Sequence, residues 1–364
     1  MFSLIFTAVS ANSPIASLTA EAAYHFSNFR AHPPIHQYGG ISTTPKGLSP
    51  AQIKKIYNLP KNGGQGTVAI IGAYDSKTIE KDLNIFSKQF SLPKCTTANN
   101  CFEKHLMENN TKSNSGWSLE TSLDVEWAHA IAPQAKILLV EAKTPSGVNL
   151  LKAIDYTRAR PDVVAISMSW GGDEFPEETT LDSHFTSDYD ITFFASSGDN
   201  GTGASWPAAS PNVVAVGGTT ITLDQNKNFK SETAWTGSGG GVSAYEKEPT
   251  YQANYNITHN KKMRGIPDVS YDADPASGFA VYRNKGWYVI GGTSAGAPQW
   301  AAIKSLSLSA DNSKFYAAKA STKASAYFRD IRSGSNGVCK YFCDARKHYD
   351  YVTGLGSPLT SVFK

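Results

Sequence analysis

Thr67-Val-Ala-Ile-Ile-Gly-Ala73 is a continuous apolar run of strand length, and the alternation it begins constrains the fold more than any other feature of the chain. Helical spacing follows at Ile79, Leu83, Phe86 and Phe90, and the pattern then repeats. A helix is expected near 118–132, a strand over 136–141, a helix near 148–158, and strands over 162–168, 191–196 and 212–217. Strands apolar on both faces with helices between them make a mostly parallel central sheet of the α/β class, covered by helices on both faces. In such sheets a ligand crevice opens beyond the carboxyl ends of the strands, where Asp75, Ser169, Asp199 and Ser294 would collect.

At 364 residues the chain has room for one large domain or two ordinary ones. Its formal charge of +3, spread without long runs, points away from nucleic acid or membrane as a partner. Residues 1–48 are rich in Ser, Ala, Pro and His and lack periodicity, so they read as a leader or linker, or the remnant of a prosegment, ahead of one domain over 49–364. The opening Met1–Ser10 is too short to span a membrane and lacks a basic flank, which leaves a degenerate secretory signal or a plain tail. Ser49 followed by Pro50 then starts a short helix over 50–57. From 219 to 288 the sequence turns to Gly-, Tyr- and Trp-rich segments suited to loops and hairpins. The four cysteines fall in two close pairs, Cys95 with Cys101 and Cys339 with Cys343. Two local disulfides and a secreted location fit that arrangement, with four free thiols as the other reading.

Trp287-Tyr-Val-Ile-Gly-Gly-Thr-Ser-Ala-Gly-Ala-Pro298 sets a short strand, a glycine break and a helix start around one hydroxyl. Ser294 has two readings at this point. It is a nucleophile beside unpaired helix N–H groups and a positive dipole end, or it caps the helix.

A serine nucleophile needs a base, and the usual one is histidine. Of the eight histidines, only His129 falls on a predicted helix near other candidates. On that helix Glu120 and Asp124 are only about 40° apart, whereas His129 lies roughly 180° from Glu120. If the two acids face the crevice, the histidine does not. A solvated acidic stripe is the alternative, and Glu126 on another face fits it. Asp199, in Phe193-Phe-Ala-Ser-Ser-Gly-Asp-Asn-Gly201, stands at the polar end of an apolar strand, either as a site residue or as a turn former.

Taken together, Ala73-Tyr-Asp75, Glu120-x-x-x-Asp124, Ser167-Met-Ser-Trp-Gly-Gly172, Ser197-Gly-Asp-Asn-Gly201, Pro267-Asp-Val-Ser-Tyr-Asp-Ala-Asp-Pro275 and Gly291-Gly-Thr-Ser-Ala295 resemble the sedolisin family of serine-carboxyl peptidases, which has a subtilisin-like fold. The resemblance implies that Ser294 attacks the peptide carbonyl of a polypeptide substrate and Glu120 takes its proton. Asp124 would orient Glu120, and a protonated Asp199 would donate to the oxyanion. Ser169, Trp170 and Gly171 would form the backbone edge that pairs with extended substrate. It further implies a monomer working in an acidic extracellular setting and one structural Ca²⁺. The ion would be held by the side chains of Asp330 and Asp350 and the carbonyls of Ile331, Arg346 and His348. Three departures stand out: Arg346 and His348 replace common glycines, Gly72 replaces an acid that extends the proton network, and the family's long folded N-terminal chaperone domain has only about 48 residues opposite it.

Two other functions compete. Gly292-Thr-Ser-Ala-Gly296 also fits an α/β-hydrolase nucleophile elbow, with Asp330 and His348 following in that family's order. A calcium-stabilised, non-catalytic peptide-binding protein would keep the same crevice.

Overall fold

In the computed structural model, which describes Phe26 and residues 28–363, strands and helices alternate around one large sheet. Its strands are β1 (Thr67–Ala73), β2 (Phe102–Leu106), β3 (Lys136–Ala142), β4 (Val163–Met168), β5 (Thr192–Ser196), β6 (Val213–Leu223), β7 (Phe229–Ala234) and β8 (Val269–Asp272). They lie in the order β7-β6-β5-β4-β1-β3-β2, with β8 also paired to β6. All neighbours are parallel except β7 against β6. The α/β expectation therefore holds.

Strand alternation divides the core into two layers. Val68, Ile70, Ile137 and Leu139 face one side, where they meet Leu123, Trp127, Ile131 and Trp300. Ala69, Ile71, Leu138 and Val140 face the other, against Leu150 and Ile154. The helices are α1 (Pro50–Ile56), α2 (Ile79–Gln89), α3 (Ser115–Ile131), α4 (Gly147–Arg158), α5 (Thr250–Tyr255), α6 (Gly296–Ser307) and α7 (Asn312–Ala320). Burying each large aliphatic side chain contributes about 1.5–3 kcal/mol, so both layers hold helices against the sheet.

Local signals set several boundaries as expected. Ser49 caps α1 through a complete capping box with Gln52, and Pro50 occupies the first turn. Helix α3 starts three residues before the expected 118, because Asn114 is the cap that accepts from Trp117 N–H. Its acidic stripe is not solvated: Glu126 is fully buried and accepts the Tyr282 amide at 2.9 Å. The reason is tertiary, since α3 is covered on all sides by the sheet, α2, α6 and the hairpin of β9 (Phe279–Arg283) and β10 (Gly286–Gly291). Within 219–288 the expected hairpins are present, together with the unexpected short helix α5.

The expected leader over 1–48 is in its later part a component of the fold. Residues 1–25 and 27, including the candidate secretory signal, lie outside the described residues. Phe26, Ala31 and Leu48 are buried, and Phe26 and Phe29 stack among Phe175 and Trp206. Both expected disulfides, Cys95–Cys101 and Cys339–Cys343, are formed.

Candidate active site

Strand β10 ends at Gly291, Gly292 turns with φ 120°, and Thr293–Ala295 make one 3₁₀ turn before α6. Only glycine fits at 292. A side chain there would lie 2.1 Å from the Pro34 carbonyl oxygen and 2.6 Å from Asp199 Oδ2. The N-cap of α6 is Ala295, so Ser294 is not its cap. The Ser294 hydroxyl is fully buried and reaches the Ser169 carbonyl at 3.5 Å.

Glu120 and Asp124 share the buried face that their spacing predicted, both about 2% exposed. Burial pushes the Glu120 carboxyl well above its ordinary range, reinforced by the charge of Asp124, while the Ser294 hydroxyl beside it pulls the other way. Neither Glu120 oxygen completes a hydrogen bond of normal geometry, which leaves both available to a proton or a hydroxyl. Burial also raises Asp124, opposed by the Ser169 hydroxyl that donates to it at 2.8 Å. Ser169 thereby ties the acid helix to the Ser294 turn, since its hydroxyl also lies 3.2 Å from the Ser294 carbonyl.

Asp199 enters from the loop after β5. Its Oδ1 accepts from the amide and the hydroxyl of Thr293 at 2.8 and 2.7 Å, which fixes the carboxyl next to Ser294. Its Oδ2 faces the cleft. Burial raises the Asp199 pKa, and the His36 imidazole at 3.1 Å lowers it. Asp75 follows the carboxyl end of β1 and is bonded to Lys104 at 2.6 Å. The Gly72 position opens toward Thr121, whose hydroxyl would lie 3.6 Å from an added Cβ. An acid there would therefore approach the helical turn carrying Glu120.

Trp170 does not reach into the cleft; it is fully buried and its indole donates to the Ile71 carbonyl at 3.0 Å. The edge's pairing groups belong to Gly171, which exchanges two hydrogen bonds with His32 at 3.0 and 3.2 Å. From that pairing the N-terminal segment crosses the cleft. Ala31 donates to the Pro145 carbonyl at 2.9 Å, Pro34 presents its carbonyl beside Gly292, and His36 and Gln37 pair antiparallel with Gly291 and Ile290 of β10. A cavity of about 400 Å³ beside the segment is lined by Gly171, Gly172, Ser196, Gly198, Asn200 and Ser205, among others. No sequence pattern announced this, because main-chain pairing at a sheet edge imposes little on side chains.

Among the described residues, no histidine hydrogen-bonds Ser294. His129 is buried and bonded to the Pro93 carbonyl at 2.9 Å, and the His348 amide is bonded to Asp330. Neither His129 nor His348, the histidine of the α/β-hydrolase order, is thus bonded to Ser294.

The Subtilase family model matches residues 106–332. The chain belongs to that family. Its similarities within the family are to sedolisins, and it is a sedolisin-family member. It is 28% identical to Sedolisin of Pseudomonas sp. (strain 101) over 86% of this chain and 60% of that protein. It is 30% identical to Kumamolisin of Bacillus sp. (strain MN-32) over 87% of this chain and 63% of that protein. The chain thus spans about 60% of the length of these relatives. The solved structure of Pseudomonas sedolisin (serine-carboxyl proteinase), complexed with two molecules of pseudo-iodotyrostatin, superposes with a TM-score of 0.73 at 28% identity. That match covers 86% of this chain and 96% of the other.

The calcium site that the resemblance implies does not fit this sedolisin-family chain. The Asp330 carboxylate is already engaged by the Lys319 ammonium and the His348 amide, and the Asp350 carboxylate by the amides of Arg346 and Thr353.

Proposed function

We propose that this chain is an acid-acting serine-carboxyl endopeptidase that cleaves polypeptides through an acyl-enzyme on Ser294. The observation that carries the reading is the burial of Ser294 among Glu120, Asp124 and Asp199, with no histidine among the described residues bonded to it. In the first step the Ser294 oxygen attacks the peptide carbonyl carbon while Glu120 takes the hydroxyl proton. Asp124, held by Ser169, orients Glu120 and shares its charge. Asp199, protonated, donates to the developing oxyanion from the oxygen that faces the cleft. Glu120 then returns the proton to the departing amine. In the second half Glu120 takes a proton from water, whose oxygen adds to the acyl carbon, and then gives that proton to the Ser294 oxygen as the C–O bond breaks and the acid product leaves. Gly171 is the edge that an extended substrate pairs with.

The same reading makes the chain a zymogen-like form. Residues 30–38 follow a substrate's path: antiparallel at Gly171, carbonyl beside Gly292 at Pro34, then along β10. The segment is an inhibitor in place, and secretion into an acidic medium as a monomer fits a form that opens there. Incubation of the purified chain with denatured protein in acid tests the proposal. Cleavage should vanish in Ser294→Ala and in Glu120→Gln and persist in His348→Ala; full cleavage by Glu120→Gln sinks it.

A further inference from the structure

The place where the family resemblance expects calcium is already filled by this chain's own cation. Lys319, on α7, has a side chain only 3% exposed. Its ammonium lies 2.6 Å from Asp330 Oδ1 and 2.6 Å from the Leu355 carbonyl oxygen. A carboxylate and a main-chain carbonyl are the ligand types that calcium itself selects. We infer that the Lys319 ammonium replaces the metal, so that the C-terminal loop over 330–355 is held by an internal ion pair and takes no calcium.

The remaining donors point the same way. Asp330 Oδ1 also accepts the His348 amide at 2.9 Å, and its Oδ2 accepts Arg332 Nε at 2.7 Å. Asp350 Oδ1 accepts the amides of Val352 and Thr353 at 2.9 and 2.7 Å, and Oδ2 accepts the Arg346 amide at 3.0 Å. The Thr353 hydroxyl bridges both Asp350 oxygens at 3.1 and 3.0 Å. An ionised carboxylate has about four acceptor directions, and these contacts use most of them on each residue. Arg346 and His348, expected to bring carbonyls to an ion, instead bring N–H groups to the two carboxylates. His348 does so from φ 75°, a left-handed conformation. A divalent ion would have to displace several of these donors and sit against a buried ammonium, which it repels.

The test uses the intact chain and calcium alone. After dialysis against millimolar calcium chloride and gel filtration, wild type should carry far less than one calcium per chain by atomic emission. Its unfolding midpoint should be the same in calcium chloride and in excess chelator. Lys319→Met should lower that midpoint on the order of 5–10 °C in both buffers, because it takes the ammonium from the partly buried Asp330 carboxylate and leaves the Leu355 carbonyl without its donor. One calcium per chain, a midpoint that rises with calcium, or a Lys319→Met protein as stable as wild type would overturn the inference. If Lys319→Met does not fold, the two wild-type measurements decide alone.

Discussion

His36 Nε2 stands 3.1 Å from Asp199 Oδ2, the carboxyl oxygen that faces the cleft. The contact joins the segment lying across the site to the group proposed to steady the oxyanion. Its Asp199 partner raises the His36 pKa and is itself lowered by it, so the charged pair exists in a window above the titration of Asp199 and below that of His36. Acid protonates Asp199 and removes half the pair. His36→Ala should therefore raise the initial rate on a peptide substrate more at mildly acid than at strongly acid pH. An equal gain at both would show that the pair does not hold the segment.

Ser294→Ala should lower kcat by a factor of about 10⁴–10⁶, as for loss of the nucleophile in a catalytic unit that acts together. Asp199→Asn should lower the maximum rate about 10²–10³-fold, as for an impaired oxyanion donor. An amide does not titrate, so the rate of this variant should fall less steeply toward neutral pH than wild type. Initial rates across the acid range would read both effects.

Gly292→Ala should abolish activity. The added carbon would meet Asp199 Oδ2 at 2.6 Å and would have to adopt φ 120°, so the carboxyl or the turn must move. Near-UV circular dichroism should stay native-like while cleavage is lost.

Stability should decline from acid toward alkaline pH. Glu178 is pushed up to about 9, first by burial and then by the charge of Glu174. Glu246 is pushed up to about 8, first by burial and then by the charge of Asp182. Both folded values exceed the unfolded ones, so the stabilisation is complete below the ordinary carboxyl range and is lost as pH rises through about 8 and 9. Each retained proton contributes a slope of about 1.4 kcal/mol per pH unit inside that window. Thermal melts against pH should show the decline, and Glu178→Gln should flatten it.

Asp268→Asn should destabilise the fold by about 3–5 kcal/mol. Arg264 is fully buried and grips Asp268 with both terminal nitrogens, at 2.7 and 2.5 Å. Asp268 also accepts the Ala215 amide of β6 and the Tyr316 hydroxyl. Urea titration of the variant would measure the loss directly.

The Ser294 turn and the acid pair were legible because their signals are local. A strand, two glycines and a small-residue helix specify a sharp turn wherever they occur, and four residues of helix put Glu120 and Asp124 on one face by geometry alone. That Glu126 would also be buried was not legible. A helix's sequence gives its period, but how many neighbours cover it depends on strands far along the chain, here the hairpin whose Tyr282 amide meets that carboxyl.

Sequence by itself determined the α/β alternation, the close spacing of the two cysteine pairs and the placing of His129 on the helix face opposite Glu120. Only the tertiary structure decided that residues 30–42 cross the cleft, since their hold is largely main-chain pairing, which marks the side chains little. It also decided that Lys319 is a buried counter-ion. On α7 alone it reads as a solvent-facing charge, and its role follows from two oxygens brought to it by Asp330 and Leu355.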